Sequence, residues 1–165
     1  MFSFIIPFVA LANIIFSSAI IIVAFSLFLY LFANNLRSSV ARSFSGLLVF
    51  LTIIYTGDVF LQRIDTFTDA VIWLKVKWIG IAFIPAAYLH FSDALLRSTN
   101  AYSRRRRFAV ALAYLASGAF LLLVALTNWV VRDGFFFSVA AQFEAGPLFP
   151  LFAIFFFTLT GWGFY

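Results

Sequence analysis

The sequence predicts an all-α fold: a polytopic transmembrane helix bundle of about five spans with its N-terminus outside. Three observations predict it. Of the 165 residues, 65% are hydrophobic and only 10% are charged, whereas a soluble domain carries charge on about a quarter of its residues. Apolar runs of the roughly 20 residues needed to cross a bilayer recur along the chain, and the 25 Phe residues partition favourably into lipid. Lys and Arg are distributed unevenly, and they favour alternate connections between those runs.

The expected spans cover about 7–32, 44–61, 70–95, 108–131 and 148–165. The first is uncharged. It lacks the basic N-terminal residues of a secretory signal and is longer than a signal core, so it reads as a retained helix. The second contains Asp58. The third holds Lys75, Lys77, His90 and Asp93 within it or at its edges, with Thr68 or Asp69 as the expected N-cap. The fourth is uncharged and carries Ala109, Ala113 and Ser117 at the spacing that lets helices approach closely, with Gly118 beside them. The fifth is still apolar at Tyr165, which suggests a fragment of something longer. No internal repeat or low-complexity tail is visible.

The first and third connections hold Arg37, Arg42, Arg97, Arg104, Arg105, Arg106 and Arg107. The second and fourth, with adjacent helix ends, hold Arg63, Lys75, Lys77 and Arg132, offset by Asp65, Asp69, Asp133 and Glu144. Cytoplasmic loops retain basic residues, so the N-terminus is expected outside. The Arg104–Arg107 run then reads as cytoplasmic retention and attraction to anionic lipid rather than as a nucleic-acid contact. The fourth connection contains Phe135, Phe136 and Phe137, a poor surface in water. It is expected to fold onto the outer mouth of the bundle or dip into the interface, as a short hairpin bracketed by Gly134 and Gly146.

Ionisable groups inside a span are costly and mark functional candidates. Asp58 lies at about the depth of Lys75, and Lys77 is about 3 Å deeper, at a rise of 1.5 Å per residue. The two lysines are about 200° apart around the helix, so only one can face Asp58. Two readings stand: an ion pair pinning the second and third helices, or a ligand or ion site opening outward. His90, Asp93 and Arg97 follow at i+3 and i+4 along one helix face, which suits either an interfacial polar ladder or a proton-responsive relay. Pro85 removes a backbone donor in mid-helix and is expected to kink it, as a hinge or a fixed bend. With no Cys and a single His, no structural zinc set can be assembled. No phosphate loop, nucleophile elbow or paired intramembrane carboxylates appear, so no catalytic residue, metal or cofactor is expected.

The third span has the most distinctive text, WLKVKWIGIAFIPAAYLHF over residues 73–91. A Trp-rich opening, a Gly-Ile-Ala stretch, a Pro and an aromatic-rich end resemble the seven-helix N-terminal membrane region of bacterial sensor histidine kinases and diguanylate cyclases. The resemblance implies a single transmembrane sensory domain over 1–165, incomplete at the C-terminus, in the plasma membrane of a bacterium. Kinase or cyclase output, and any homodimer contact, would lie in sequence beyond it, since no phosphoacceptor, ATP-binding or cyclase segment is present. The expected partners are the bilayer, anionic lipids included, and an unidentified stimulus, with no nucleic acid. A small transporter or transporter subunit is the alternative.

Overall fold

The computed structural model describes residues 2–64, 66–99, 104–132, 136–137, 140–141 and 143–164, with 2–6, 67, 136–137 and 140–141 described by backbone alone. Five helices follow one another: α1 (Phe2–Asn34), α2 (Ser39–Leu61), α3 (Phe67–Ser98), α4 (Arg104–Leu126) and α5 (Phe149–Phe164). Between α4 and α5 lie four two-residue strands: β1 (Val131–Arg132), β2 (Phe136–Phe137), β3 (Ala140–Ala141) and β4 (Glu144–Ala145). The first four helices contain stretches long and apolar enough to cross a membrane, whereas α5 has 16 residues. At 33 and 32 residues, α1 and α3 are each about 50 Å long, longer than the roughly 30 Å hydrocarbon layer.

Helix starts follow local chemistry. Ser38 caps α2, its hydroxyl accepting from the Ala41 amide at 3.4 Å. The cap of α3 is Thr66, not Thr68 or Asp69. Thr66 is extended, its hydroxyl accepts from the Asp69 amide and donates to the Asp69 carboxylate. Asp69 is therefore the acid at the third helical position, which reaches back to the cap and lies where the helix dipole favours negative charge. The fourth helix ends at Leu126, five residues before the expected limit. The Thr127 hydroxyl donates to the Leu123 carbonyl and accepts from the Trp129 amide. This turns the chain so that Val130 and Val131 leave the helix and are buried.

The third helix is the hub of the bundle, packing against α2, α4 and α5, while α1 packs on α2. Most of α1 is exposed, with Ser17 and Ala24 among its buried residues. A polytopic membrane protein accounts for this exposure, because lipid supplies the apolar surroundings. On α3 the buried residues include Leu74 and Trp78 toward its start, and further on Ala82, Ala86, Ala87 and Leu89 are fully enclosed. Pro85 is also buried, and α3 remains helical through it.

The connection after α4 forms a hairpin as expected. Val131 pairs with Ala145 and Arg132 with Glu144, and inside that pair Phe136 faces Ala141 and Phe137 faces Ala140. Its base is tied by the Gly146 amide to the Val130 carbonyl and by the Leu148 amide to the Trp129 carbonyl. Val130 and Val131 join Trp78, Phe120, Val124 and Phe152 in the largest apolar cluster, with Phe143 packed against it. The hairpin base thus covers one end of the bundle. Phe135 and the side chains of Phe136 and Phe137 lie outside the described residues. The opposite end gathers Arg37, Arg42, Arg97 and Arg104–Arg107. Trp129 at the hairpin end and Trp162 at the arginine end are both exposed, the positions expected of interfacial aromatic anchors.

Candidate functional site

The ion pairs of the bundle among the described residues lie toward the two ends of α3. At the hairpin end, two glycines bring α2 and α3 close. A Cβ built on Gly80 would lie 2.6 Å from the Phe50 carbonyl oxygen and 2.5 Å from Ile54 Cγ1. One built on Gly57 would lie 3.0 Å from Lys77 Cβ. Aromatic pairs continue the antiparallel register, with Phe60 on Trp73 (ring centroids 4.0 Å apart), Phe50 on Phe83 (5.3 Å) and Phe44 on Phe91 (5.1 Å). The Lys77 stem therefore lies over Gly57. Its amine donates to Asp58 Oδ1 at 2.5 Å, with about a quarter of each side chain exposed. Lys75 points away and donates to the Ala125 carbonyl of α4 at 3.4 Å. Gln62 donates to the Asp58 main-chain carbonyl at 3.2 Å.

Lys77 also lines a cavity of about 250 Å³ between α3, the hairpin and α5, together with Trp78, Ile81, Val131, Phe143 and Phe149. Asp58 is not in its wall. The cavity is thus an apolar chamber with one cationic group, whose counter-charge sits on the neighbouring helix.

At the arginine end, the ladder expected along one face of α3 divides. Asp93 is buried and pairs with Arg97 one turn on. His90 turns to α4 instead: its Nδ1 and the Tyr114 hydroxyl lie 3.3 Å apart in a hydrogen bond whose direction follows the imidazole tautomer. A third group involves Arg106, which is buried, unlike its exposed neighbours Arg104, Arg105 and Arg107. Arg106 donates to the Ser92 hydroxyl at 2.7 Å and to the Trp162 carbonyl at 3.4 Å, and Ser92 donates to the Gly163 carbonyl at 2.5 Å. Through these contacts Arg106 and Ser92 join α3, α4 and α5 at one point.

The roles of Arg106, Ser92 and Tyr114 were missed from sequence. The run of four arginines gives no sign of which one turns inward, because rotation about the helix decides that. On α4, Ala113 and Ser117 are buried as the small-residue spacing suggests, but Gly118 faces open space. Among the described residues, no three His, Asp or Glu side chains gather as a metal set.

The fold and its two polar ends define a polytopic helical membrane protein whose third helix takes part in both ion pairs found among the described residues. The model for the N-terminal 7TM region of histidine kinase matches residues 14–165, nearly the whole chain, and the protein belongs to that family. No curated protein and no solved structure matches.

Proposed function

We propose that this chain is the membrane-embedded sensory input module of a bacterial signal-transduction receptor. It lies in the plasma membrane with its N-terminus outside, and it couples an external or membrane stimulus to a cytoplasmic kinase or cyclase output. The observation that carries this reading is the placement of α3. One helix bears against α2, α4 and α5 and has an ion pair beside a cavity at one end. At its other end it carries Ser92, which bridges Arg106 to the last turn of α5. A ligand that competes with Asp58 for Lys77, or fills the cavity beneath the hairpin, changes how α3 packs at its outer end. Rigid translation or rotation of α3 is then felt by Arg106 and by α5. Such a ligand shifts the balance of two arrangements only by its differential affinity for them. Membership of a histidine-kinase membrane region favours this reading over a small transporter.

The test uses the full gene product in membrane vesicles, with ATP-dependent phosphotransfer or cyclic-nucleotide synthesis as the readout. Lys77→Met and Asp58→Asn, at wild-type expression, are expected to change basal output in the same direction, since both release the same contact. A gene product with no cytoplasmic output domain, or output indifferent to both substitutions, would overturn the reading.

A further inference from the structure

A second cavity, of about 430 Å³, lies at the arginine end of the bundle. Its wall draws Ser39 and Arg42 from α2, His90 and Arg97 from α3, and Arg107 and Tyr114 from α4. The volume falls within the range of about 300–1,000 Å³ typical of small-molecule sites. Three helices thus each contribute an arginine to one wall. Like charges gathered this way repel unless an anion joins them. The protein supplies little to do so: among the described residues, Asp93 is the one carboxylate at this end, and it is buried and held by Arg97. Arg42 donates to the Leu36 carbonyl at 3.3 Å, and Arg107 makes no ion pair among the described residues.

Retention of arginines on one side of a membrane does not account for this convergence. That rule counts basic residues in a loop and is indifferent to the direction in which each one points. Here the direction is specific. Arg106 turns to α5, whereas Arg107, about 100° further round the helix, lines the cavity. Ser39, Tyr114 and His90 complete the polar part of the wall. A planar guanidinium presents paired N–H groups that match two oxygens of a phosphate.

We propose that this cavity binds a phosphate group, the chemistry shared by an anionic phospholipid headgroup and a free phosphate anion. The phosphate sits among Arg42, Arg97 and Arg107, relieving their mutual repulsion and tying α2, α3 and α4 together.

The experiment uses the full chain in nanodiscs. One arm compares phosphatidylcholine discs with discs doped with phosphatidylglycerol, reading lipid retained on the protein by native mass spectrometry. The other titrates inorganic phosphate into phosphatidylcholine discs, reading the thermal midpoint. Retention of phosphatidylglycerol assigns the site to a lipid headgroup, and a midpoint raised by phosphate assigns it to the free anion. In whichever arm responds, the paired substitution Arg42→Gln/Arg107→Gln weakens binding by about tenfold or more for each arginine, the loss of a charge-assisted hydrogen bond. The pair Arg104→Gln/Arg105→Gln removes the same charge outside the cavity and weakens binding distinctly less than the cavity pair does, by the general surface attraction alone. If the first glutamine pair fails to fold, Arg42→Lys/Arg107→Lys keeps the charge, loses the two-toothed geometry and is expected to weaken binding in the same arm. Equal losses from the cavity pair and the control pair, or binding of neither probe by the wild type, would overturn the proposal.

Discussion

Replacing Gly80 with Ala tests the α2–α3 interface directly, because two opposed effects can be weighed. In an isolated helix, Gly→Ala stabilises by about 1 kcal/mol. In the bundle, the new Cβ would lie 2.5 Å from Ile54 Cγ1 and 2.6 Å from the Phe50 carbonyl oxygen. A relaxed carbon–oxygen contact is about 3.3 Å or longer, so the shortfall is about 0.7 Å. The Ile54 side chain has only restricted freedom to turn away. The Phe50 carbonyl belongs to the backbone of α2 and moves only with that helix. The two helices must separate, at a cost of about 1–3 kcal/mol for overpacking. Subtracting the helix gain leaves an expected net loss of up to about 2 kcal/mol. Gly118→Ala is the internal control: nothing lies within 4 Å of its Cβ, so its stability should be unchanged or slightly higher. The assay is reversible unfolding in mixed micelles, titrated with SDS, with both variants measured beside the wild type. A Gly80→Ala protein as stable as Gly118→Ala would refute the close-approach argument, and with it the reason that Lys77 rather than Lys75 meets Asp58.

The ion pair itself is open to a double-mutant cycle. Asp58→Leu with Lys77→Leu should show a coupling energy of about 1–2 kcal/mol, between surface and buried values because both side chains are partly exposed. The same cycle with Lys75→Leu should be additive within about 0.5 kcal/mol, and strict additivity for both lysines would remove the pair from the account. Arg106→Gln should cost about 1–3 kcal/mol in the same unfolding assay, from lost contacts to Ser92 and Trp162. Arg105→Gln, its exposed neighbour, should stay within about 0.5 kcal/mol of wild type. Arg97→Ala strands the buried Asp93 carboxylate and is expected to cost about 3–5 kcal/mol, whereas Arg97→Ala with Asp93→Ala costs less. Orientation is checked in intact cells with an impermeant thiol reagent: Glu144→Cys should react and Asn35→Cys should be shielded, and the reverse pattern would turn the protein over.

What the sequence determined by itself was set by one-dimensional quantities. Span length and hydropathy mark α1 to α4 without reference to any neighbour, because lipid rewards an apolar run wherever it packs. The hairpin after α4 was legible from its bracketing glycines and its aromatic run. The cap expected at Thr68 or Asp69 falls two or three residues earlier because Thr66, Thr68 and Asp69 are all good caps, and only the extended conformation of Thr66 selects among them. Val131 was assigned to the fourth span because it is apolar, although its burial comes from the cluster around Trp78 and Phe152 rather than from lipid. The candidate sites were legible as residues but not as partners. Asp58 had to face one of two lysines, and the choice fell to Lys77 through Gly57 and Gly80, which set how closely and at what rotation α2 meets α3. Four consecutive arginines are equivalent as text. One is buried against α5 and the next lines a cavity with Arg42 and Arg97, because successive residues on a helix point about 100° apart and tertiary packing decides what each direction meets.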